Sequence, residues 1–184
     1  MKLHIFGASG TGVTTLGNYL SSLMNIPYID SDEFYWEKTS IPFTVRREPI
    51  LRNAMIMEHL PPDGKWILGG SIIKWDLPIK FDLAVFLWVP PAIRIERLKA
   101  REYERYGDDI FNIPERHSLY NEFIEWCAGY DNNTAHGRTL LAHEQWMQTL
   151  RCPILKLEGD LSTEERADKI KERLVKELYF NDIA

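Results

Sequence analysis

The chain has 184 residues, 45% of them hydrophobic and 27% charged, with a formal net charge of −5. That length and composition suit one globular domain spanning 1–184 and exclude a disordered or fibrous chain, while the acidic balance repels nucleic acid. Cys127 and Cys152 are too few and too far apart to staple the fold or hold a metal, so reduced thiols are expected. The start, MKLHIFGASG, turns to glycine too soon for a signal peptide. The longest apolar run, Leu83 to Ile93, carries Pro90 and Pro91 and is too short to cross a bilayer. A cytoplasmic protein without a membrane partner is expected.

In chain order the pattern predicts strand Lys2–Phe6, helix Thr14–Met24, strand Tyr28–Ile29, helix Glu48–His59, and strands Trp66–Leu68 and Leu83–Val89. Helices Ala92–Tyr106, Ser118–Gly129 and Leu140–Leu150, strand Ile154–Leu157 and helix Thr163–Leu178 follow. WILGG and FDLAVFLWV are nearly all apolar, as central strands covered on both faces are. Ser162, three residues before Glu165, forms a capping box at the last helix. The alternation argues for parallel strands joined by crossover helices.

Between the first strand and first helix lies Gly7-Ala8-Ser9-Gly10-Thr11-Gly12-Val13-Thr14-Thr15. It matches G-x-x-x-x-G-K-[ST] in the required strand-to-helix context at every fixed position but one. Glycine allows successive N–H groups to converge, and the helix start adds the positive end of its dipole, so the loop suits a phosphate chain. Thr14 falls where the loop hydroxyl holds Mg²⁺, and Thr15 can bond a more internal phosphate. Val13 replaces the lysine that neutralises the outer phosphates. Either another cation takes over, or the site binds nucleotide without fast chemistry.

Asp30-Ser31-Asp32 leaves the second strand with both carboxylates on one side, because side chains alternate with period two; Ser31 or Asp32 could instead simply cap the next helix. Arg46 and Arg47 form either an anion-gripping pair or a solvated helix start. Gly69 and Gly70 end the third strand, where a ligand or a tight turn would want missing side chains. Arg94, Arg97, Arg101 and Arg105 recur along one helix face, interleaved with glutamates as in an ion-pair-laced helix. The tryptophans and His117, His136 and His143 read as structural or solvent-facing.

With these residues the chain resembles the adenylate-kinase-like branch of P-loop proteins, which includes shikimate, gluconate and nucleoside monophosphate kinases. GASGTGVTTLG, DSDEFYW, IPFTVRRE, VPPAIRIERLKARE and CPILKLEGD are similar to a bacterial group often labelled AAA-family ATPase or adenylate kinase. The resemblance implies a three-layer α/β fold: a parallel five-stranded sheet, helices on both faces, and a lid over about residues 98–137. It also implies Mg²⁺ with ATP, or another nucleoside triphosphate, on Gly7–Thr15. Thr14 and Asp30 would then serve the metal, and Asp32, Arg46, Arg47, Gly69 and Gly70 a small and plausibly anionic acceptor. Asp32, Arg97 and Arg101 become the candidate catalytic residues. Arg138 is similar to the second lid arginine of adenylate kinases, though its spacing differs. A phosphotransferase, monomeric or homodimeric, is the expectation, with a nucleotide-binding regulator that has lost turnover as the alternative.

Overall fold

The computed structural model describes residues 1–61 and 64–181. Along them run β1 (Lys2–Gly7), α1 (Val13–Met24), β2 (Tyr28–Asp30), α2 (Asp32–Tyr35), α3 (Pro49–His59), β3 (Trp66–Gly69) and β4 (Leu83–Trp88). The second half holds α4 (Pro91–Tyr106), α5 (Asp109–Asn112), α6 (Pro114–Ala128), α7 (Leu140–Met147), β5 (Ile154–Glu158) and α8 (Thr163–Asn181). The strands form one parallel five-stranded sheet in the order β2-β3-β1-β4-β5. The central strand β1 sets Ile5 opposite Gly69 of β3 and Val85 of β4.

Period-two alternation in the central strands builds two cores. Leu3, Ile5, Ile67, Leu83, Val85 and Leu87 point to one face and pack with Leu16 and Leu20 of α1 and Ala167 and Ile170 of α8. Phe6, Ala84 and Phe86 point to the other and meet Met147 of α7, while Trp66 and Leu68 meet Ile56 of α3. Both faces are therefore covered, which is why these strands read as nearly continuous apolar runs. Parallel strands also align their carboxyl ends, so the loops after β1, β2 and β3 open on one crevice, where open α/β sheets bind ligands.

Most predicted elements lie within two residues of those observed. The one-turn helices α2 and α5 are too short to show a 3.6-residue period. α6 starts at Pro114, four residues before the expected Ser118, because proline fits the first helical position. α7 closes three residues before the expected Leu150. The expected capping box forms at α8, with Glu165 N–H donating to Ser162 Oγ (3.1 Å) and Ser162 N–H to Glu165 Oε2 (2.7 Å).

Candidate functional site: a glycine-rich phosphate loop

The loop leaves β1 at Gly7 and enters α1 through Gly12, whose φ of 90° lies in the left-handed region that side chains resist. Its carbonyls are tied down from outside. Arg94 of α4 donates to Ser9 O (3.2 Å), Arg166 of α8 to Thr11 O (2.6 Å), and the Thr11 hydroxyl to Ala8 O (2.8 Å). Within the loop the Thr11 N–H bonds back to Ala8 O (3.3 Å), and the first N–H of α1 to bond back is that of Leu16, to Gly12 O (2.9 Å). The N–H groups of Ser9, Gly10, Gly12, Val13 and Thr14 have no acceptor among the described residues. Donors without protein partners at a helix start form an anion nest. Arg94 and Arg166 are both almost fully buried, and arginines spent on carbonyls carry no motif, so the sequence does not reveal the role of either.

Thr14, one residue into α1, meets Asp30 at the end of β2. Asp30 Oδ2 accepts from Thr14 Oγ1 (3.1 Å) and Tyr28 Oη (3.1 Å), and Oδ1 from Asp32 N–H (3.0 Å). Tyr28 reaches this position across Gly17, where any Cβ would overlap its ring. Burial, and then the charge of Asp30, push the Tyr28 phenol well above its ordinary range, so it stays a donor. A hydroxyl and a carboxylate beside a phosphate nest fit a hard cation such as Mg²⁺, which keeps few protein ligands and shares phosphate oxygens. Among the described residues no group of three or more His, Cys, Asp or Glu could hold a metal ion. Phosphate oxygens and water would have to complete the shell.

Asp32 opens α2, and the Asp30 carboxylate, not the Ser31 hydroxyl, accepts the Asp32 N–H; among the described residues the Ser31 hydroxyl is buried without a partner. Although solvent reaches Asp32, protein crowds the crevice around it. That crowding raises its pKa above the usual carboxylate range; Arg138 opposes the rise, Asp30 adds to it, and Arg101 opposes it. The charges of both Arg138 and Arg101 therefore act on Asp32. Arg97 points elsewhere, paired with Asp160 along a shallow groove lined by Ala92, Ile93, Glu96 and Ala100. The arginine row thus splits: Arg94 is buried beneath the loop, Arg101 bonds Glu102 (3.1 Å), and Arg105 lies near Glu102 (3.5 Å) and over the Phe43 ring.

On the expected acceptor side, buried Arg47 donates to the carbonyls of Glu33 (3.1 Å) and Phe34 (2.7 Å), bracing α2. Arg46 is exposed, with its guanidinium over the Tyr35 ring. Gly69 ends β3 against Tyr28, and Gly70 follows it beside Ser31 and Asp30. Next to them, Ser71 Oγ lies 3.1 Å from His143 Nε2, and His143 Nδ1 lies 2.6 Å from Tyr130 Oη. Burial, with the Arg138 charge, lowers the His143 pKa to about 3, so the ring is neutral. Tyr130 Oη has no other partner among the described residues, so its O–H donates to Nδ1 and Nε2–H donates to Ser71. That leaves the Ser71 hydroxyl hydrogen for another acceptor.

The chain is 40% identical over 175 residues to the uncharacterized Bacillus subtilis (strain 168) protein YqaC, covering 94% of this chain and 97% of that protein. It is 23% identical to a shikimate kinase from Neisseria meningitidis serogroup C over 74% of this chain and 89% of the kinase. The chain belongs to one family with YqaC and has the fold of the shikimate-kinase-like P-loop proteins. No family model matches it. A gluconokinase structure from Sinorhizobium meliloti 1021 has the same fold, with TM-score 0.54 and 20% identity, covering 98% of this chain and 96% of that one. In this P-loop member Val13 occupies the lysine position and packs its side chain against the sheet core.

Proposed function

We propose that this kinase-like, nucleotide-binding protein transfers the terminal phosphoryl group of a Mg²⁺-bound nucleoside triphosphate to a small, anionic acceptor, acting as one unit over 1–184. The observation that carries the reading is Asp30, which receives Thr14 from the loop and the backbone of Asp32 from the crevice floor. The loop N–H groups would hold the phosphates, and Thr14 and Asp30 a Mg²⁺ that neutralises phosphate charge. Asp32, with its raised pKa, is suited to take a proton from an acceptor hydroxyl at neutral pH. Arg101 faces it from α4, within the proposed lid of about residues 98–137. Arg46, Gly69 and Gly70 border the acceptor side. Arg47 supports α2, and Arg97 enters the crevice only if the lid segment moves.

A thermal-shift screen of ATP, GTP and small metabolites with and without Mg²⁺, followed by a transfer assay on each hit, tests the reading. Stabilisation by a triphosphate that grows with Mg²⁺, and loses that growth in Asp30→Ala, is the expected result. A wild-type protein that no nucleotide stabilises refutes it. Val13, turned into the core, favours the second reading, a nucleotide-binding regulator without turnover. Binding without transfer to any acceptor, together with Asp32→Asn indistinguishable from wild type, would select that reading.

A further inference from the structure

Among the described cations, four arginines come near the phosphate loop or the crevice floor and a fifth lies at a distance. Arg94 is almost fully buried, with Nη2 paired to Asp131 at 2.5 Å and further bonds to Ser9 O and Cys127 O. Arg166 is spent on the carbonyls of Thr11 and Gly159. Arg101 is bonded to Glu102, and Arg97 is paired with Asp160. Each of these guanidiniums already has a carboxylate or a set of carbonyls.

Arg138 differs from all of them. Its Nη2 donates to Ser9 Oγ at 2.7 Å, a hydroxyl within the loop itself, and its guanidinium lies 4.9 Å from the centre of the Trp126 ring. Among the described residues no carboxylate lies within ion-pair distance of it. Its charge nevertheless acts on Asp32 and on the buried Cys127, Tyr130 and His143. The base that presents it is fixed. Gly137 makes a turn with φ of 81°, Trp126 Nε1 donates to His136 O (3.0 Å), and Thr139 caps α7 through Ala142 N–H (3.1 Å). A neutral hydroxyl is a weak partner for a guanidinium that a phosphate would bind through two charge-assisted bonds.

We infer that Arg138, 129 residues along the chain from Ser9, supplies the positive charge that Val13 withholds and holds the outer phosphates of the bound nucleotide. The inference rests on the nucleotide-binding reading above. The division of labour follows from geometry: loop N–H groups hold the inner phosphates whatever stands at position 13, and only the outer, more highly charged end requires a cation. Arg138 exchanges Ser9 Oγ for phosphate oxygens without leaving its Trp126 platform. Because it comes from the segment between α6 and α7 and not from α1, charge arrives at the loop only when that segment is docked.

The test uses isothermal titration of the full chain with ATP, ADP and AMP in Mg²⁺. Arg138→Met, which keeps an apolar stem against Trp126, is expected to weaken ATP at least thirtyfold, ADP less, and AMP less than threefold. Val13→Lys placed in the Arg138→Met protein is expected to recover at least tenfold in ATP affinity. Arg138→Lys, which keeps the charge, should fall between wild type and Arg138→Met and serves if the methionine variant fails to fold. Equal loss for all three nucleotides, unchanged ATP affinity, or no recovery with Val13→Lys overturns the inference. A wild-type chain that binds none of the three defeats the nucleotide reading itself, whereas wild-type binding with an insensitive Arg138 defeats only this inference.

Discussion

The phosphate-loop end of the crevice and its proposed acceptor end are built differently. Around the loop, buried arginines from α4 and α8 fix the carbonyls of Ser9 and Thr11, and the helix start is set by a glycine at φ 90°. The stretch from Trp36 to Leu51 is held by small local bonds, such as Thr44 Oγ1 to Ile41 O (2.8 Å), by an antiparallel bridge from Trp36 to Arg46, by buried Arg47 on the carbonyls of Glu33 and Phe34, and by Arg105 over the Phe43 ring. It leaves Phe43, Val45, Ile50 and Leu51 about half exposed or more, and Phe43 sits at φ 64°. Phosphate is the same in every nucleotide, so backbone can bind it. An acceptor is recognised by side chains, and on the proposed reading these lie on that more exposed stretch.

The largest test of this contrast is Gly12→Val. A valine there must adopt a left-handed φ of 90° that its Cβ resists, and that Cβ comes within 3.2 Å of Arg166 Nη1. ATP affinity should fall by about a thousandfold, roughly 4 kcal/mol, while the circular dichroism spectrum is retained. Unchanged affinity in the folded variant would remove the contrast altogether.

A pH series separates the buried half further. Burial lowers the pKa values of His4 and His143 from 6.5 to about 3, so the unfolded chain binds more protons across that window. Stability is complete above pH 6.5 and is lost as pH falls toward 3. Between pH 6.5 and 5 the pair should cost about 3 kcal/mol in urea unfolding. His143→Gln should halve that loss. The raised pKa of Asp32 works the other way, its contribution being lost as pH rises, so Asp32→Asn should steepen the acid loss. A flat profile would mean that neither histidine is held neutral.

Arg166→Met should cost about 2 kcal/mol of stability by removing charged hydrogen bonds to buried carbonyls, and should weaken ATP alongside. Loss of stability with intact ATP binding would show that the carbonyl tie is structural only. The smallest effect belongs to the acceptor end: Ile50→Lys, at a position 83% exposed, should change stability by less than about 0.5 kcal/mol and leave ATP affinity untouched. A larger change would mean that this stretch is packed more firmly than its contacts indicate.

The sequence by itself determined the five parallel strands, the loop between β1 and α1 and the Asp30–Asp32 pair leaving β2, because strand alternation, glycine spacing and strand-end register are local properties of the chain. Only the tertiary structure decided which arginine goes where. Helical spacing puts Arg94, Arg97, Arg101 and Arg105 on neighbouring turns, yet Arg94 is buried beneath the loop, Arg97 pairs with Asp160, and Arg101 bonds Glu102 while its charge acts on Asp32. Likewise Arg138 and Arg166 reach the loop from 129 and 155 residues away. A long, charged side chain has no periodic signature of its own. Its partner is chosen by whichever carbonyl, carboxylate or hydroxyl the packing of distant elements brings within reach, and that is settled only once the sheet and its helices close around the crevice.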